Sequence, residues 1–297
     1  MGIVRTQEEE NERMEFEDFR QTLVALAALE RRKQSEEFKG LSSHNADVDL
    51  EEKLVCVTSG ASFLGLAIVN RLLLRGYSVR ILVDNQEDVE KLREMERSGD
   101  MMACKNKISV VMAKPTEIQG LMEAFDGCRG VFHTSAFADP DGISGYSLWY
   151  ALGKLKAEKV AWKIAEEMGI KLTTICPGLV TGPEFSLRNP TATIAYLKGA
   201  QEMYADGLLA IVDVSRLAEA HLSVFEEMNK TAFGRYICFD QVIEREEEAE
   251  KLAREMGMPA NKICGDSFDI IPTRFDLSNK KLTNLMSRKL RSCYGES

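Results

Sequence analysis

The sequence has few histidines, no closely paired cysteines and no long apolar run. Its three histidines stand far apart and its seven cysteines include no Cys-x-x-Cys pair, so the spacing gives no sign of a metal site. The longest apolar runs end well before the roughly 18 residues that a membrane-spanning helix needs. Basic residues are the minority, 38 against 47 acidic ones, which disfavours a nucleic-acid or anionic-membrane surface. The expected partners are therefore small molecules or proteins.

What remains is the composition of a globular protein. The chain has 297 residues, of which 44% are hydrophobic and 29% charged, and this length suits one large domain or two small ones. Several cysteines fall inside apolar runs, where a small buried thiol is the ordinary interpretation. The N-terminus is acidic, whereas a signal peptide is basic and then apolar, so we expect a cytoplasmic protein.

The first fifty residues differ from the rest of the chain. Acidic residues dominate positions 7–20. An apolar patch follows, with Leu23, Val24, Leu26 and Leu29. This composition predicts an acidic helical extension over residues 1–50. Gly2 with Thr6 fits the short myristoylation pattern, but the acidic run would repel anionic lipid, so we expect no stable membrane anchor and keep a frayed terminus as the alternative.

From Lys53 the hydrophobic pattern alternates between short apolar strands and amphipathic helices. This alternation predicts an α/β fold, a Rossmann-like parallel sheet with helices on both faces. The predicted strands span 54–58, 78–83, 108–112, 130–133 and 171–176, and the predicted helices span 63–75, 88–97, 117–125 and 148–168. We expect a dinucleotide-binding domain over 51–177 and a smaller substrate-binding lobe over 178–297, interleaved with the sheet. In that lobe the pattern predicts strands at 208–212 and 234–239, helices at 214–228 and 244–256, and a basic tail.

The segment Thr58–Gly65 lies between the first predicted strand and the first predicted helix. Small residues at such a turn let backbone amides approach a pyrophosphate at the helix N-terminus. The predicted cofactor contacts here are Thr58, Gly60, Ser62, Phe63, Leu64 and Gly65. Ser59 and Ser62 stand where a dinucleotide-binding turn has glycine, so we expect their side chains to crowd the turn or the phosphates.

Asp84 ends the second predicted strand, nineteen residues after Gly65. At this spacing an acid reaches the ribose hydroxyls of the adenosine, which favours NAD(H) over NADP(H). The alternative is a solvated acid in a turn.

Tyr150 and Lys154 lie one turn apart on the long predicted helix and therefore on one face. No other tyrosine of the chain has a lysine four residues later. A nearby ammonium favours the phenolate, so it lowers the tyrosine pKa from about 10 and helps the phenol to donate a proton to a carbonyl as hydride arrives. The same lysine could hold the nicotinamide ribose. The alternative is an ordinary pair on a helix surface.

Four stretches together resemble the extended short-chain dehydrogenases/reductases, in particular the plant cinnamoyl-CoA reductase-like branch. They are Val55-Cys56-Val57-Thr58, Gly130-Val131-Phe132-His133-Thr134, Trp149-Tyr150 through Lys154 with Ala157-Glu158, and Val212-Asp213-Val214 with Ala220-His221. The resemblance covers roughly residues 53–281. It implies NADP(H)-linked reduction of a carbonyl or acyl-CoA thioester of the phenylpropanoid type, with Tyr150 as acid and Lys154 as its activator. It also implies Thr134 and Pro177 as cofactor contacts, and a homo- or hetero-oligomer.

The family's catalytic serine has no counterpart here. It follows a fifth strand, whereas this chain has only sixteen residues between His133 and Tyr150. A parallel crossover needs about a dozen residues and a strand about five more, so we predict a sheet that lacks one central strand-helix unit. The strand at 171–176 could then pair directly beside the fourth strand. That pairing would displace Tyr150 and Lys154 by ~5 Å.

Other departures concern the substrate and the cofactor. Leu148, Ala151 and Leu152 interrupt the family's CoA-ester motif, Asp84 replaces its basic residue for the 2'-phosphate, and Lys114 replaces an adenine-side acid. Three hypotheses follow: a working reductase, a catalytically impaired relative that binds a nucleotide or a partner chain, and a product that folds poorly. His133 and His221 are interpreted as packed histidines, and Asp213 as a helix N-cap.

Overall fold

The computed structural model describes residues 53–101, 107–114, 117–134, 146–183, 199–265 and 275–294, and only the backbone at 146–152 and 288–294. The predictions for residues 1–50, including the helical extension and the modification of Gly2, lie outside this part of the chain. Within the described residues no helix has both the length and the apolar character needed to cross a membrane.

The first sheet has four parallel strands in the order β3-β2-β1-β4. They are β1 (Leu54–Val57), β2 (Ser78–Val83), β3 (Ile108–Met112) and β4 (Gly130–Phe132). The helices between them are α1 (Phe63–Leu74), α2 (Gln86–Ser98) and α3 (Ile118–Phe125). The predicted class, a Rossmann-like parallel sheet with covering helices, is confirmed.

Both faces of β1 are buried, which explains its uninterrupted apolar sequence. Val55 and Val57 belong to the largest apolar core, together with Ile68 and Leu72 of α1. Cys56 points to the opposite face, where it packs in a smaller cluster with residues of β2 and α3. The alternation of side chains along the strand therefore places helices on both sides of the sheet.

After the first sheet the chain forms the long helix α4 (Tyr146–Met168) and then β5 (Thr173–Pro177). β5 pairs in parallel with β8 (Gly234–Cys238) and not with β4, so the predicted pairing beside β4 is wrong. The register joins all five residues of β5 to β8, whereas β4 offers only three residues. The longer ladder keeps β5 with β8, and no strand among the described residues lies between β4 and β5.

The remaining strands form a third sheet, in which β6 (Leu179–Thr181) runs parallel to β7 (Ala210–Asp213), and β7 runs antiparallel to β9 (Gln241–Val242). The helices of this part are α5 (Ala200–Ala205), α6 (Val214–Glu227), α7 (Glu246–Glu255), α8 (Asn261–Cys264) and α9 (Lys280–Tyr294). Asp213 caps α6 as predicted, because its carboxylate accepts a hydrogen bond from Ser215 N at 2.8 Å. The tail predicted only as basic forms α9.

Helix α6 is shared by the two largest apolar cores. Ala218 and Leu222 pack in the core of the first sheet, while Leu217 packs in the core around β7 and β8. On its polar side Glu219 forms ion pairs with two arginines, at 3.4 Å from Arg71 of α1 and at 2.6 Å from Arg75, which directly follows α1. The first sheet and the lobe are therefore joined through α1 and α6.

Candidate functional site

The strands of the first sheet end at one edge, where Thr58, Asp84 and His133 follow β1, β2 and β4. In open parallel sheets, ligands bind outside the carboxyl ends of the strands. Thr58 is fixed here by two contacts: its backbone N–H donates to Phe132 O at 3.1 Å, and its hydroxyl forms a 3.0 Å hydrogen bond with His133 Nδ1. These two hydrogen bonds join the carboxyl ends of β1 and β4.

The turn after β1 depends on two glycines that tolerate no side chain. A Cβ at Gly65 would lie 1.8 Å from the carbonyl oxygen of Ser59, and a Cβ at Gly60 would lie 2.6 Å from Cγ2 of the buried Ile81. Both glycines therefore allow the chain to pass from strand to helix in close contact with its surroundings. This is the kind of turn in which a backbone can approach a pyrophosphate.

Ser62 serves as the N-cap of α1. Its hydroxyl donates to the Ser59 carbonyl at 2.7 Å and accepts from Gly65 N at 3.0 Å. The side chain thus stabilises the turn, and the expectation that it crowds the turn is wrong. It also occupies one N–H of the first helical turn, which is then not available to a ligand while the cap is formed.

Phe63 and Leu64 place the start of α1 against the lobe. The Cζ atom of Phe63 lies 3.3 Å from the position that a Cβ on Gly182 would take, just after β6. Leu64 packs against both large cores. Their side chains therefore hold the glycine turn next to the end of β6.

Asp84 is exposed after β2 and accepts a 2.7 Å hydrogen bond from the Asn85 side chain. Asn85 in turn caps α2, because its side-chain oxygen accepts from Asp88 N at 2.8 Å. The position at the carboxyl edge suits a ribose contact, and the local hydrogen bonds equally suit a turn acid. Both interpretations of Asp84 from the sequence therefore stay open.

Thr134 provides an observation that fits a bound group. Among the described residues, its hydroxyl oxygen is a buried side-chain atom without a hydrogen-bond partner. Buried hydroxyls almost always have a partner, so an unpaired one at the carboxyl edge of β4 suits a polar ligand. Together with the glycine turn, it indicates that the residues present can accommodate a dinucleotide.

Lys154 extends the site from the sheet to helix α4. Burial lowers the pKa of His133, and the positive charge of Lys154 lowers that pKa further. The ammonium therefore lies within electrostatic reach of the end of β4. Partial burial of the ammonium also lowers the pKa of Lys154. Since Tyr150 precedes Lys154 by one turn of the same helix, the backbone brings it to the same end of the sheet, but its side chain is not described.

Glu158, one turn after Lys154, belongs to a stretch that carries the family resemblance, but the sequence analysis gave it no role in the site. It accepts two hydrogen bonds from Arg235 of β8, at 2.9 and 2.6 Å, and one from the Thr174 hydroxyl of β5 at 2.7 Å. Chiefly because of Arg235, the pKa of Glu158 falls to about 2. This ion pair ties α4 to β5 and β8, so it determines where Lys154 lies. An acid on the same helix face as Lys154 was the available signal.

Pro177 is the predicted cofactor contact that lies farthest from this arrangement in the topology. It ends β5 in the two-stranded sheet, where it is exposed and pairs with Cys238. The described contacts do not join it to the glycine turn. Its role in cofactor binding stays a prediction.

The sheet order, the glycine turn and the long helix α4 together define a Rossmann-like fold whose carboxyl edge suits a dinucleotide. No family model matches the sequence. The chain is nevertheless homologous to plant cinnamoyl-CoA reductases: it is 28% identical to cinnamoyl-CoA reductase 1 of Petunia hybrida over 298 positions, which cover 78% of this chain and 86% of the relative. Over most of its length the chain is thus similar to these plant reductases.

Solved structures show the same fold at lower identity. Vestitone reductase from alfalfa has a TM-score of 0.52 at 20% identity, covering 78% of this chain and 91% of that one. The yeast methylglyoxal/isovaleraldehyde reductase complexed with NADPH has a TM-score of 0.54 at 20% identity, covering 79% and 93%.

The alignment with the Petunia relative also shows a shortening of the chain. It has 298 positions, yet 78% of 297 residues is only about 232, so about 66 positions have no counterpart in this chain. A shortening of this size is large enough to include the strand-helix unit that the sequence analysis predicts to be missing.

Proposed function

We propose that the chain is an NAD(P)H-dependent reductase that binds the dinucleotide along the carboxyl edge of β1, β2 and β4. The observation that supports this best is the position of Lys154, whose charge acts on His133 at the edge that also carries the glycine turn. Residues from two separate parts of the sequence thus converge where the fold binds ligands.

The dinucleotide would be held by the turn from Thr58 to Gly65 and by the unpaired hydroxyl of Thr134. When bound, it supplies the hydride for carbonyl reduction. The structural relative complexed with NADPH favours NADP(H). Asp84 favours NAD(H), because its carboxylate would repel a 2'-phosphate and can accept hydrogen bonds from ribose hydroxyls. We propose that both forms bind and that Asp84 determines their ratio.

In this proposal Tyr150 protonates the substrate oxygen. A carbonyl carbon that receives hydride leaves negative charge on its oxygen, and the phenol of Tyr150 donates its proton there, giving an alcohol. The ammonium of Lys154 favours the resulting phenolate, and solvent restores its proton. With an acyl-CoA thioester, the carbon–sulfur bond then breaks, the thiol leaves with a proton, and an aldehyde results. The relatives named for cinnamoyl-CoA support phenylpropanoid aldehydes and thioesters as the substrate class.

The decisive experiment measures binding and turnover on the same preparation. Calorimetric titration with NADPH and NADH tests the cofactor site, and dinucleotide oxidation with a panel of phenylpropanoid aldehydes and CoA esters tests the chemistry. Changing Tyr150 to Phe should lower turnover by about a hundredfold or more and leave cofactor binding nearly unchanged. Folded protein that binds neither dinucleotide would refute the proposal.

A second candidate function is supported by the gap between β4 and β5. No strand lies between them among the described residues, which supports the prediction that this chain lacks the element that carries the family's serine. A misplacement of ~1 Å can already cost about a hundredfold in rate. The alternative is therefore a nucleotide-binding or partner-binding relative without turnover. Tight dinucleotide binding with no oxidation of any panel member would favour it over the reductase.

A further inference from the structure

Strand β3 is the outer strand of the first sheet, and its outer edge is open. Ala113, directly after β3, donates a 2.9 Å hydrogen bond from its N–H to Val83 O of β2. Backbone groups alternate in direction along a strand, so those of Ile108, Val110 and Met112 point away from β2. Neither a strand nor a side chain among the described residues occupies that edge.

The side chains next to this outer edge are apolar and exposed. The strand register aligns Val57, Ile81 and Val110 in one row, and the first two are fully buried in the largest core. Val110 ends the row and is 44% exposed. Met112, two residues further on the same face, is 58% exposed. The apolar face of the sheet therefore continues to its outer edge, where it meets solvent.

The outer edge of β8 is protected in a way that the outer edge of β3 is not. Lys281 of α9 donates to the backbone carbonyls of Phe233 and Arg235, at 2.5 and 3.1 Å. The same ammonium lies 4.7 Å from the centre of the Phe233 ring. A lysine placed on an edge strand hinders its pairing with another chain. Since no described side chain bonds to the outward groups of β3, that strand is available for pairing.

The outer edge of β3 is complementary to itself in the antiparallel direction. A twofold axis through Val110 opposes this residue to its own copy and opposes Ile108 to Met112 of the second copy. Each opposed pair exchanges both of its backbone hydrogen bonds and adds an apolar contact between the strands. Lys107 then stands opposite Ala113 of the second copy and not opposite another lysine. We propose that β3 is a homodimer interface, where the first sheets of two copies join into one continuous sheet.

A second copy is the occupant that this edge fits, because a twofold interface needs a surface that complements itself. A strand of five residues forms a small interface, and small interfaces give weak, reversible association. We therefore expect a monomer–dimer equilibrium with a dissociation constant of ~10–100 µM. The contact runs along β3, so it leaves the carboxyl ends of β1, β2 and β4 open to a dinucleotide.

Sedimentation velocity over a concentration series measures the association, and hydrogen exchange followed by NMR locates it. The amides of Ile108, Val110 and Met112 should exchange about tenfold more slowly where ~90% of the protein is dimeric. The amides of Ser109 and Val111 point towards β2, so their exchange should not depend on concentration.

Two lysine substitutions separate the outer edge from a general effect of charge. Val110→Lys places two ammonium groups opposite each other on the axis, so it should raise the dissociation constant at least ~10-fold. Ser109→Lys adds the same charge on the other face of β3, where it would oppose Val111 of the second copy. This control should leave the dissociation constant nearly unchanged. Both substituted positions are exposed, so neither change disturbs the core.

A cysteine on the axis tests the register. Opposed residues of a hydrogen-bonded antiparallel pair have Cα atoms ~5.5 Å apart, which suits a disulfide. Mild oxidation of Val110→Cys should therefore give a covalent dimer, with the link between the two introduced cysteines identified by mass spectrometry of unreduced peptides. Val131→Cys on β4 is the matched control, since Val131 is also 44% exposed, and it should link far less.

The proposal would be overturned by protein that stays monomeric up to ~1 mM. It would equally be overturned by a dimer that Val110→Lys weakens no more than Ser109→Lys does, or by equal cross-linking of Val110→Cys and Val131→Cys. A dimer with either of the last two properties would have its interface on another surface of the chain.

Discussion

The sheet around β1 and the pair formed by β5 and β8 are stabilised in different ways. Val55, Cys56 and Val57 are fully buried, with helices on both sides. In β5 no residue is fully buried, and among the described side chains of α4 only Ala165 is. In the second region Tyr236 and Cys238 of β8 are buried in the second core, whereas β5 and α4 are joined to β8 largely by hydrogen bonds and by the Glu158–Arg235 ion pair.

This difference separates the two parts of the proposed activity. The glycine turn that would hold the dinucleotide belongs to the well-buried sheet, whereas Tyr150 and Lys154 belong to α4. Loss of buried apolar contacts lowers local stability, so regions with few of them open most easily. Cofactor binding should therefore withstand perturbations that abolish the chemistry.

The largest expected effect is on the first region, through Gly65→Ala. The added Cβ would meet the Ser59 carbonyl oxygen at 1.8 Å, which forces the turn to move. We expect a loss of about 2–4 kcal/mol in the free energy of unfolding and at least a tenfold loss of dinucleotide affinity. Denaturant unfolding and calorimetric titration measure both.

Gly153→Ala is the matched control on α4, since nothing lies within 4 Å of the added Cβ. Alanine favours helix over glycine by up to ~1 kcal/mol, so this variant should be as stable as the unaltered protein or more so. Equal destabilisation by both substitutions would contradict the special role of the turn.

Glu158→Gln perturbs the second region at neutral pH. Glu158 loses its charge, and Arg235 keeps only weaker hydrogen bonds. Because the arginine is about half exposed, we expect a cost of about 1–2 kcal/mol. Hydrogen exchange of α4 should accelerate while NADPH affinity changes little. A parallel loss of affinity would show that the two regions are not independent.

Cysteine labelling compares the two regions without any substitution. Burial raises the pKa of the Cys56 thiol in β1 to about 12, and burial raises the pKa of Cys176 in β5 as well. Cys56 is inaccessible, while Cys176 is partly exposed. Pulsed alkylation with mass spectrometry should modify Cys176 at least ~10-fold faster, since it needs only local opening. Similar alkylation rates for Cys56 and Cys176 would contradict the expected difference in local stability between the two sheets.

The smallest effect is the pH dependence of the Glu158 contribution. Its folded pKa of about 2 lies below the ordinary value of 4.5, so the folded state binds the proton less readily than the unfolded state. The stabilisation is therefore complete above about pH 5 and is lost as the pH falls through 4.5 towards 2. The stability difference between the unaltered protein and Glu158→Gln should shrink over that interval. A difference that stays constant to pH 2 would contradict this assignment.

The sequence predicts the first sheet well because its strands are long apolar runs bounded by polar turns. β2 and β3 agree with their predicted ranges at both ends. β6 and β9 have three and two residues, too few for any periodicity, and the sequence analysis missed them. The pairing of β5 with β8 joins residues about 60 positions apart, so local pattern carries no information about it.

In the candidate site, too, the local motif could be predicted from the sequence, whereas the contacts between distant residues could not. Thr58, Gly60 and Gly65 follow from a local motif between a strand and a helix. The pair of Glu158 and Arg235 is 77 residues apart in sequence, and only the fold brings it together. The function of Ser62 as a cap also depends on the turn geometry, which a glycine pattern does not specify.

Helix α6 connects the two strands that lie before and after the predicted loss, β4 and β5. Phe225 packs beneath Phe132 at a ring separation of 5.0 Å, and three residues later Met228 accepts a 3.6 Å hydrogen bond from the Thr173 hydroxyl. Helix α6 and the residue that follows it thus contact both β4 and β5, the strands on either side of the predicted loss. We therefore expect both strands to stay attached to a common helix however short the connection between them is.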